Sequence, residues 1–415
     1  MYVCMAAAAL SACGPKQEQE QVADDFSYSV EQFADMEILR YKVHGFNQLQ
    51  PKQKEMLYYL SQAALEGRDI LFDQNGKHNL CIRRTLEAVY VNYAGDKTST
   101  DFQALELYLK RVWVANGIHH HYSGDKFIPT FSEAFFAEAV KSIDPTLLPL
   151  SEGETAEALV EKLTPVIFDP SVMAKRVNQA AGEDLVATSA GNYYEGVTQA
   201  EAEAFYAAMK DTNDLTPVSY GLNSKLMKEN GELVEKTYKV GGMYSAALER
   251  VVGWLEKAAA VAENDKQREV IEKLISYNRS GCLKEFDEYC ILWVHDLESQ
   301  IDFVNGFTET YGDPLGMKAS WESLINFKDI EATKRTELIS QNAQWFEDHS
   351  PVDDQFKKET VKGVSAKVIT AAMLGGDCYP TTPIGINLPN SNWIRQQHGS
   401  KSVTIENLTE AYDKA

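Results

Sequence analysis

Apolar residues recur at three- and four-residue spacings along most of this chain, which predicts a largely helical protein. From Pro51, the residues Met56, Leu57, Leu60, Ala63 and Ala64 form one stripe. Residues 79–94 and 101–114 repeat the pattern, the second with Leu105, Leu109 and Val112 on one side. Shorter helices are expected over 130–142 and 155–163. Thr198 and Glu201 read as a capping box ahead of a helix to about Met209. Three more helices are expected over 245–263, 265–277 and 283–296. The helical reading then continues through a run from Phe303 that Asp313-Pro314 would stop, through 320–346 and through 353–373. The tail, 405–415, begins another helix. One segment changes period: β-capable runs on either side of Asn230-Gly231 predict a hairpin.

Residues 375–395 break the pattern and are expected to be free of helix. Pro380, Pro383 and Pro389 each lack a backbone donor and push the preceding residue into an extended conformation. Between them lies Ile384-Gly-Ile-Asn-Leu388, a short β-capable run in which Gly385 leaves the backbone bare for close approach. Asn387 and Asn390 offer amides three residues apart, and Arg395 adds a planar fork of donors. An extended peptide could pair with such a strand and have its end held. A Pro/Asn-rich connection between two elements has the same composition. Glu309 and Tyr311 sit just before the Asp313-Pro314 stop, where a carboxylate at an apolar helix end could hold an ammonium group.

Composition narrows the partners. The 415 residues suffice for two domains, and 44% apolar with 24% charged residues is ordinary for a globular protein. A net charge of −21 argues against nucleic acid, which needs a basic surface. The short apolar start ends in Leu10-Ser-Ala-Cys13, which reads as a lipobox with Cys13 lipidated, followed by a polar tether. The expectation is a lipoprotein anchored at a bacterial cell envelope, touching the membrane only through its lipid. Cys81, Cys282, Cys290 and Cys378 form no CxxC motif. His119, His120 and His121 invite a metal hypothesis. Adjacent residues of an extended chain point to alternate faces, so at most His119 and His121 share one ion, and a packed or cleft-lining loop is the better reading.

Phe307-Thr-Glu-Thr-Tyr-Gly-Asp-Pro314, Gly385-Ile-Asn-Leu-Pro-Asn390, Arg395-Gln and Lys126-Phe-x-Pro129 stand in an order and separation that resemble the dipeptidyl peptidase III family of zinc metallopeptidases. The match is closest to bacteroidete-type lipoprotein members. The resemblance implies an α+β fold, largely helical and two-lobed, with a small β-barrel or sheet core in the first lobe and a helical zinc lobe mostly missing. It implies a signal and tether over 1–24, a peptide-binding lobe over 25–328 and 370–415, and the start of the helical lobe over 329–369. It implies release of dipeptides from the free N-terminus of short peptides. Glu309, Asn387 and Asn390 would hold the ammonium group and first backbone units along the strand at Gly385. Tyr311 would lie near the scissile bond, and Arg395 would support the loop or the peptide. The chain departs from the family at the metal: none of its eight histidines is followed by Glu. No catalytic residue is therefore expected in this chain, and the zinc ligands are expected beyond Ala415. The alternative is a non-catalytic peptide-binding envelope lipoprotein. A non-peptidase enzyme has little support, since no phosphate loop or nucleophile elbow is present.

Overall fold

The computed structural model of the protein describes residues 26–361, 364–381 and 383–415. The lipobox and Cys13 lie outside the described residues. The described residues open with an antiparallel hairpin of β1 (Ser29–Phe33) and β2 (Met36–Leu39). Helix α1 (Pro51–Glu66) has its proline in the first turn, where a missing N–H loses no bond. Then come α2 (Arg68–Gln74), α3 (Asn79–Asn92), α4 (Thr100–Ala115), α5 (Glu133–Lys141) and α6 (Ala156–Phe168). Ser99, Ser132 and Thr155 cap the last three by accepting a backbone N–H. The inward stripes of α3 to α6 meet in one core, with Leu86, Leu109, Phe136 and Leu163 inaccessible to solvent.

A three-stranded sheet comes next, made of β3 (Tyr194–Glu195), β4 (Ser224–Glu229) and β5 (Glu232–Thr237). Helix α7 (Gln199–Ala207) lies between the first two and carries the expected capping box of Thr198 and Glu201. Asn230 and Gly231 adopt φ of 51° and 86°, the left-handed pair that a two-residue hairpin turn requires. The three helices expected next are present: α8 (Ser245–Ala260), α9 (Asp265–Ser280) and α10 (Leu283–His295). With α1 they cover the central sheet and share its core.

The central sheet is where the helical reading fails. The run reaching Phe307 contains β6 (Ile301–Phe307), and β7 (Trp321–Lys328) succeeds it. Only α11 (Ile330–Gln341) and α12 (Ala343–Asp348) are helical in the next stretch, and β8 (Val364–Gly376) replaces the expected helix before Met373. Strands β6 and β7 are buried on both faces, and buried polar residues (Asp302, Asn305, Glu322, Ser323, Asn326) interrupt their apolar positions. They therefore lack the strict alternation that marks a half-exposed strand and cannot be told from buried helix by periodicity. The stretch expected to lack helix contains α13 (Cys378–Thr381) and α14 (Asn392–Gln397), with the extended part confined to β9 (Gly385–Leu388). The chain closes with β10 (Ser400–Ile405) and α15 (Glu406–Lys414).

The sheet order is β6-β7-β8-β10-β9, with β8 and β10 parallel and the other neighbours antiparallel. It is an open sheet, and the expected barrel does not close: β6 and β9 are its two edges. It is nevertheless strongly curled. Asp302 on β6 and Lys401 on β10 are three interstrand spacings apart, about 14 Å across a flat sheet, yet Asp302 Oδ2 lies 2.9 Å from Lys401 Nζ. The indole N–H of Trp293 on α10 donates to Asp302 Oδ1 at 2.8 Å, and the Lys401 ammonium sits 4.2 Å from the centre of the same indole ring. Lys367 Nζ on β8 is 3.9 Å from Asp302 Oδ2. Burial pushes the Asp302 carboxyl up, but the Lys401 and Lys367 charges outweigh it and hold the group below the usual carboxylate range. Burial and the Lys401 charge bring the Lys367 ammonium down to about 7.

Lys401→Met strands the Asp302 carboxylate and is expected to destabilise the fold by about 3–5 kcal/mol, read by urea denaturation at pH 7. Lys367→Met removes a buried ammonium group whose desolvation and repulsion by Lys401 outweigh its attraction to Asp302, and it is expected to raise the midpoint. The signs with pH differ. Asp302 has a depressed folded pKa, so its contribution is lost as pH falls through that value. Lys367 is depressed below an unfolded value near 10.5, so stability rises with pH above about 7 on its account.

Candidate functional site

An open cleft of about 1100 Å³ runs along β9. Its walls are the segment after β6, the facing ends of β7 and β8, and the loops at 121–124 and 175–180. Glu309, Tyr311, Gly385, Asn387, Asn390 and Arg395 all line it. The six residues singled out from the sequence are thus brought to one cavity by elements far apart in the chain.

Strand β9 pairs with β10, with Asn387 opposite Ser402 and Gly385 opposite Thr404. A side chain at 385 would place its first carbon 2.9 Å from the Val403 carbonyl oxygen, so only glycine allows this approach. Asn387 Oδ1 accepts from Ser402 Oγ at 3.2 Å, which leaves its amide hydrogens to the cleft. The outer edge of β9 carries no strand among the described residues. Such an edge is a template for an added strand.

Glu309 lies just past the end of β6, not at a helix end as the sequence suggested. Its carbonyl accepts from the Ser320 N–H at 2.9 Å, which extends the β6–β7 pairing by one step. Asn390 lies just past β9. Its amide nitrogen donates to Glu309 Oε2 at 3.0 Å and to the Thr308 carbonyl at 3.4 Å. These two residues trail the opposite edges of the sheet, four spacings or about 19 Å apart if it were flat. The curl brings the edges together, and the Asn390–Glu309 hydrogen bond spans the gap where a barrel would have closed. Burial raises the Glu309 pKa above its ordinary value, Asn390 pulls it partly back, and the Asp377 charge adds to the rise. Tyr311 is 81% exposed, at the open rim of the cleft.

Two further carboxyl groups in the wall were not found from the sequence. Glu322 on β7 is buried, and its pKa is pushed well up by desolvation and then by the charges of Glu309 and Asp377. The Cys378 thiol lies 3.6 Å from Glu322 Oε2. Asp377 comes after Gly376, whose φ of 57° and 2.2 Å clearance to the Trp321 carbonyl oxygen exclude any side chain. That turn places the Asp377 N–H on the Trp321 carbonyl and its Oδ2 3.3 Å from Ser320 Oγ. Its carboxyl is raised by burial and lowered in part by the Arg176 charge from across the cleft. An acid inside the run Trp321-Glu-Ser-Leu-Ile325 was the available signal, and it was masked by reading that run as helix.

Three carboxyl groups raised by burial, two of them also by neighbouring carboxylate charge, stand beside two primary amides and form a place where a cation is favoured over water. The histidines do other work. His119 is buried with Nε2 2.7 Å from the Met173 carbonyl, and its pKa is lowered to about 4, chiefly by burial. His120 and His121 stack at 4.6 Å, and His121 faces the cleft. Among the described residues no three His, Cys, Asp or Glu side chains converge as a metal ligand set, so these residues do not fit a zinc ion. Asp377→Asn removes the neighbouring charge that adds to the burial-driven rise of Glu309. The Glu309 carboxyl midpoint, followed by carbon-13 NMR, is expected to fall.

Over residues 197–415 the chain matches the model of Peptidase family M49. Among its relatives, a dipeptidyl peptidase 3 of Dictyostelium discoideum is 30% identical over 175 residues, 41% of this chain and 24% of that protein. A dipeptidyl peptidase 3 of Nematostella vectensis is 21% identical over 89% of this chain and 55% of its own length. The solved structure of DPP III from Caldithrix abyssi shares the fold, with a TM-score of 0.63, 20% identity, and coverage of 89% of this chain and 58% of that one. The chain therefore spans less than two thirds of the length of these relatives. The family match includes the cleft-lining strand β9, the Glu309 segment and the whole central sheet, and the chain belongs to peptidase family M49, a metallopeptidase family.

Proposed function

We propose that this chain supplies the peptide-binding half of a dipeptidyl peptidase, and that the cleft along β9 receives short peptides by their free N-terminus. The observation that carries this reading is the Asn390–Glu309 pair at the end of an unpaired strand edge. A peptide added to β9 runs its backbone along that edge, and its ammonium group arrives at Glu309. There the carboxylate and the Asn390 carbonyl group can accept its hydrogens, in surroundings already short of positive charge. Asn387 can donate to the first peptide carbonyl groups. Arg395 supports the loop or the peptide further along. Two residues between the ammonium site and the scissile bond would fix the product as a dipeptide.

Zinc in a metallopeptidase polarises the scissile carbonyl and activates water. That chemistry is assigned to no residue of this chain, whose own part is to bind and orient. The Leu10-Ser-Ala-Cys13 motif supports placing the protein at a bacterial envelope through a lipid on Cys13.

Calorimetric titration with a tripeptide and its N-acetylated form tests the reading. The free tripeptide is expected to bind and the acetylated one to fail, and equal binding of the two would overturn the proposal. Glu309→Gln is expected to weaken the free peptide by about 10–100-fold, the range of a charged hydrogen bond. Affinity should also fall as pH drops through the raised Glu309 pKa, because the protonated acid no longer attracts an ammonium group.

A further inference from the structure

A second, smaller cavity lies behind the Leu388–Pro389–Asn390–Ser391 segment, between it and α10. It measures about 50 Å³, and Phe286, Tyr289, Trp293, Val304 and Leu388 supply much of its wall. Asp287 is the one carboxyl group that lines it.

Asp287 is 7% exposed, and among the described residues no hydrogen-bond donor or cation is paired with its carboxylate. The ionisable groups around it are Tyr277 from α9 and Tyr289 and Cys290 from its own helix. Each of these is pushed toward its neutral form by burial, and none offers a positive charge. Burial alone lifts the Asp287 carboxyl to about 7. A buried carboxyl that opens into a cavity, with no protein partner, either keeps its proton or takes a cation from solution. The aromatic rings beside it decide which cation. A carboxylate that shares a small cavity with aromatic side chains suits an organic ammonium ion, which can gain both a charge-assisted bond and attraction to a ring. The size sets an upper limit: apolar cavities of about 150 Å³ take benzene, and this one is about a third of that.

We propose that this cavity is a binding site for a small alkylammonium ion, of methylammonium or ethylammonium size, held by the Asp287 carboxylate among the rings of α10. The site is separate from the cleft but shares a wall with it. Thr308 and Asn390 line the cavity on one side, and they are the residues that contact each other beside Glu309. An occupant therefore bears directly on the segment that places the Asn390 amide. The inference does not rest on the peptide-binding reading, and it stands or falls on a measurement without activity.

The test is titration of the protein with carbon-13 methylammonium chloride at pH 8, observed by NMR against sodium chloride of equal ionic strength. Wild-type protein is expected to bind saturably, Asp287→Asn to lose about tenfold or more in affinity at that site, and Glu309→Gln, which removes the ammonium-holding carboxylate of the cleft, to keep the Asp287-dependent binding. Binding should weaken from pH 8 to pH 6 as the Asp287 carboxyl takes up its proton. Equal binding by Asp287→Asn, or loss in Glu309→Gln alone, would overturn the assignment and place the ion in the cleft. Should Asp287→Asn not fold, crystals of the wild-type chain soaked in methylammonium decide the matter. Difference density between Asp287 and the Trp293 ring supports the site, and ordered water alone there overturns it.

Discussion

The curl of the central sheet is the constraint on which the cleft depends, and the Asp302–Lys401 pair pins it. These two charges come from strands that a flat sheet would hold about 14 Å apart, and they meet at 2.9 Å under the indole of Trp293. Because β9 hangs on β10, drawing β10 toward β6 also draws β9 toward it. The edges then come close enough for Asn390 to reach Glu309. A buried ion pair contributes modestly to net stability, since desolvation offsets most of the attraction. Here its geometric consequence matters more than its energy. It sets the distance between two sheet edges, and the site is built from the residues just beyond the ends of those two edge strands.

The cleft itself holds arrangements that stability alone would not select. Burial raises the pKa of Glu309, Glu322 and Asp377, the Asp377 charge adds to the rise of the two glutamates, and the Glu309 charge adds to that of Glu322. Gly376 and Gly385 accept close backbone contacts that no other residue tolerates. Strand β9 leaves its outer edge without a partner strand among the described residues, along the cleft. Such local conflicts concentrate where a protein must receive a ligand. A cation and an extended backbone would relieve two of them at once.

The helices and the hairpin were legible because their signals are local. Leu105, Leu109 and Val112 on α4 repeat at helical spacing, Thr198 and Glu201 cap α7, and Asn230-Gly231 can turn only one way. The strands β6, β7 and β8 were not legible. Both faces of β6 and β7 are covered, so the alternation that marks a strand is absent. That error carried into the site. Glu309 was found from its motif but assigned to a helix end, and Glu322 was hidden inside a run taken as helical.

By itself the sequence determined the helical stripes, the hairpin, the extended run at Gly385 and the family resemblance that singled out Glu309, Asn387, Asn390 and Arg395. All of these come from residue types at fixed short spacings, which a chain carries whatever its fold. Only the tertiary structure decided that β6 and β9 are opposite edges of one curled sheet. It also decided that Asn390 and Glu309, 81 residues apart, share a hydrogen bond, and that Glu322 and Asp377 stand beside them. The physical reason is that these contacts depend on the order and curvature of strands. Both are set by long-range pairing and by the buried charges that close it, and neither leaves a mark at any one place along the chain.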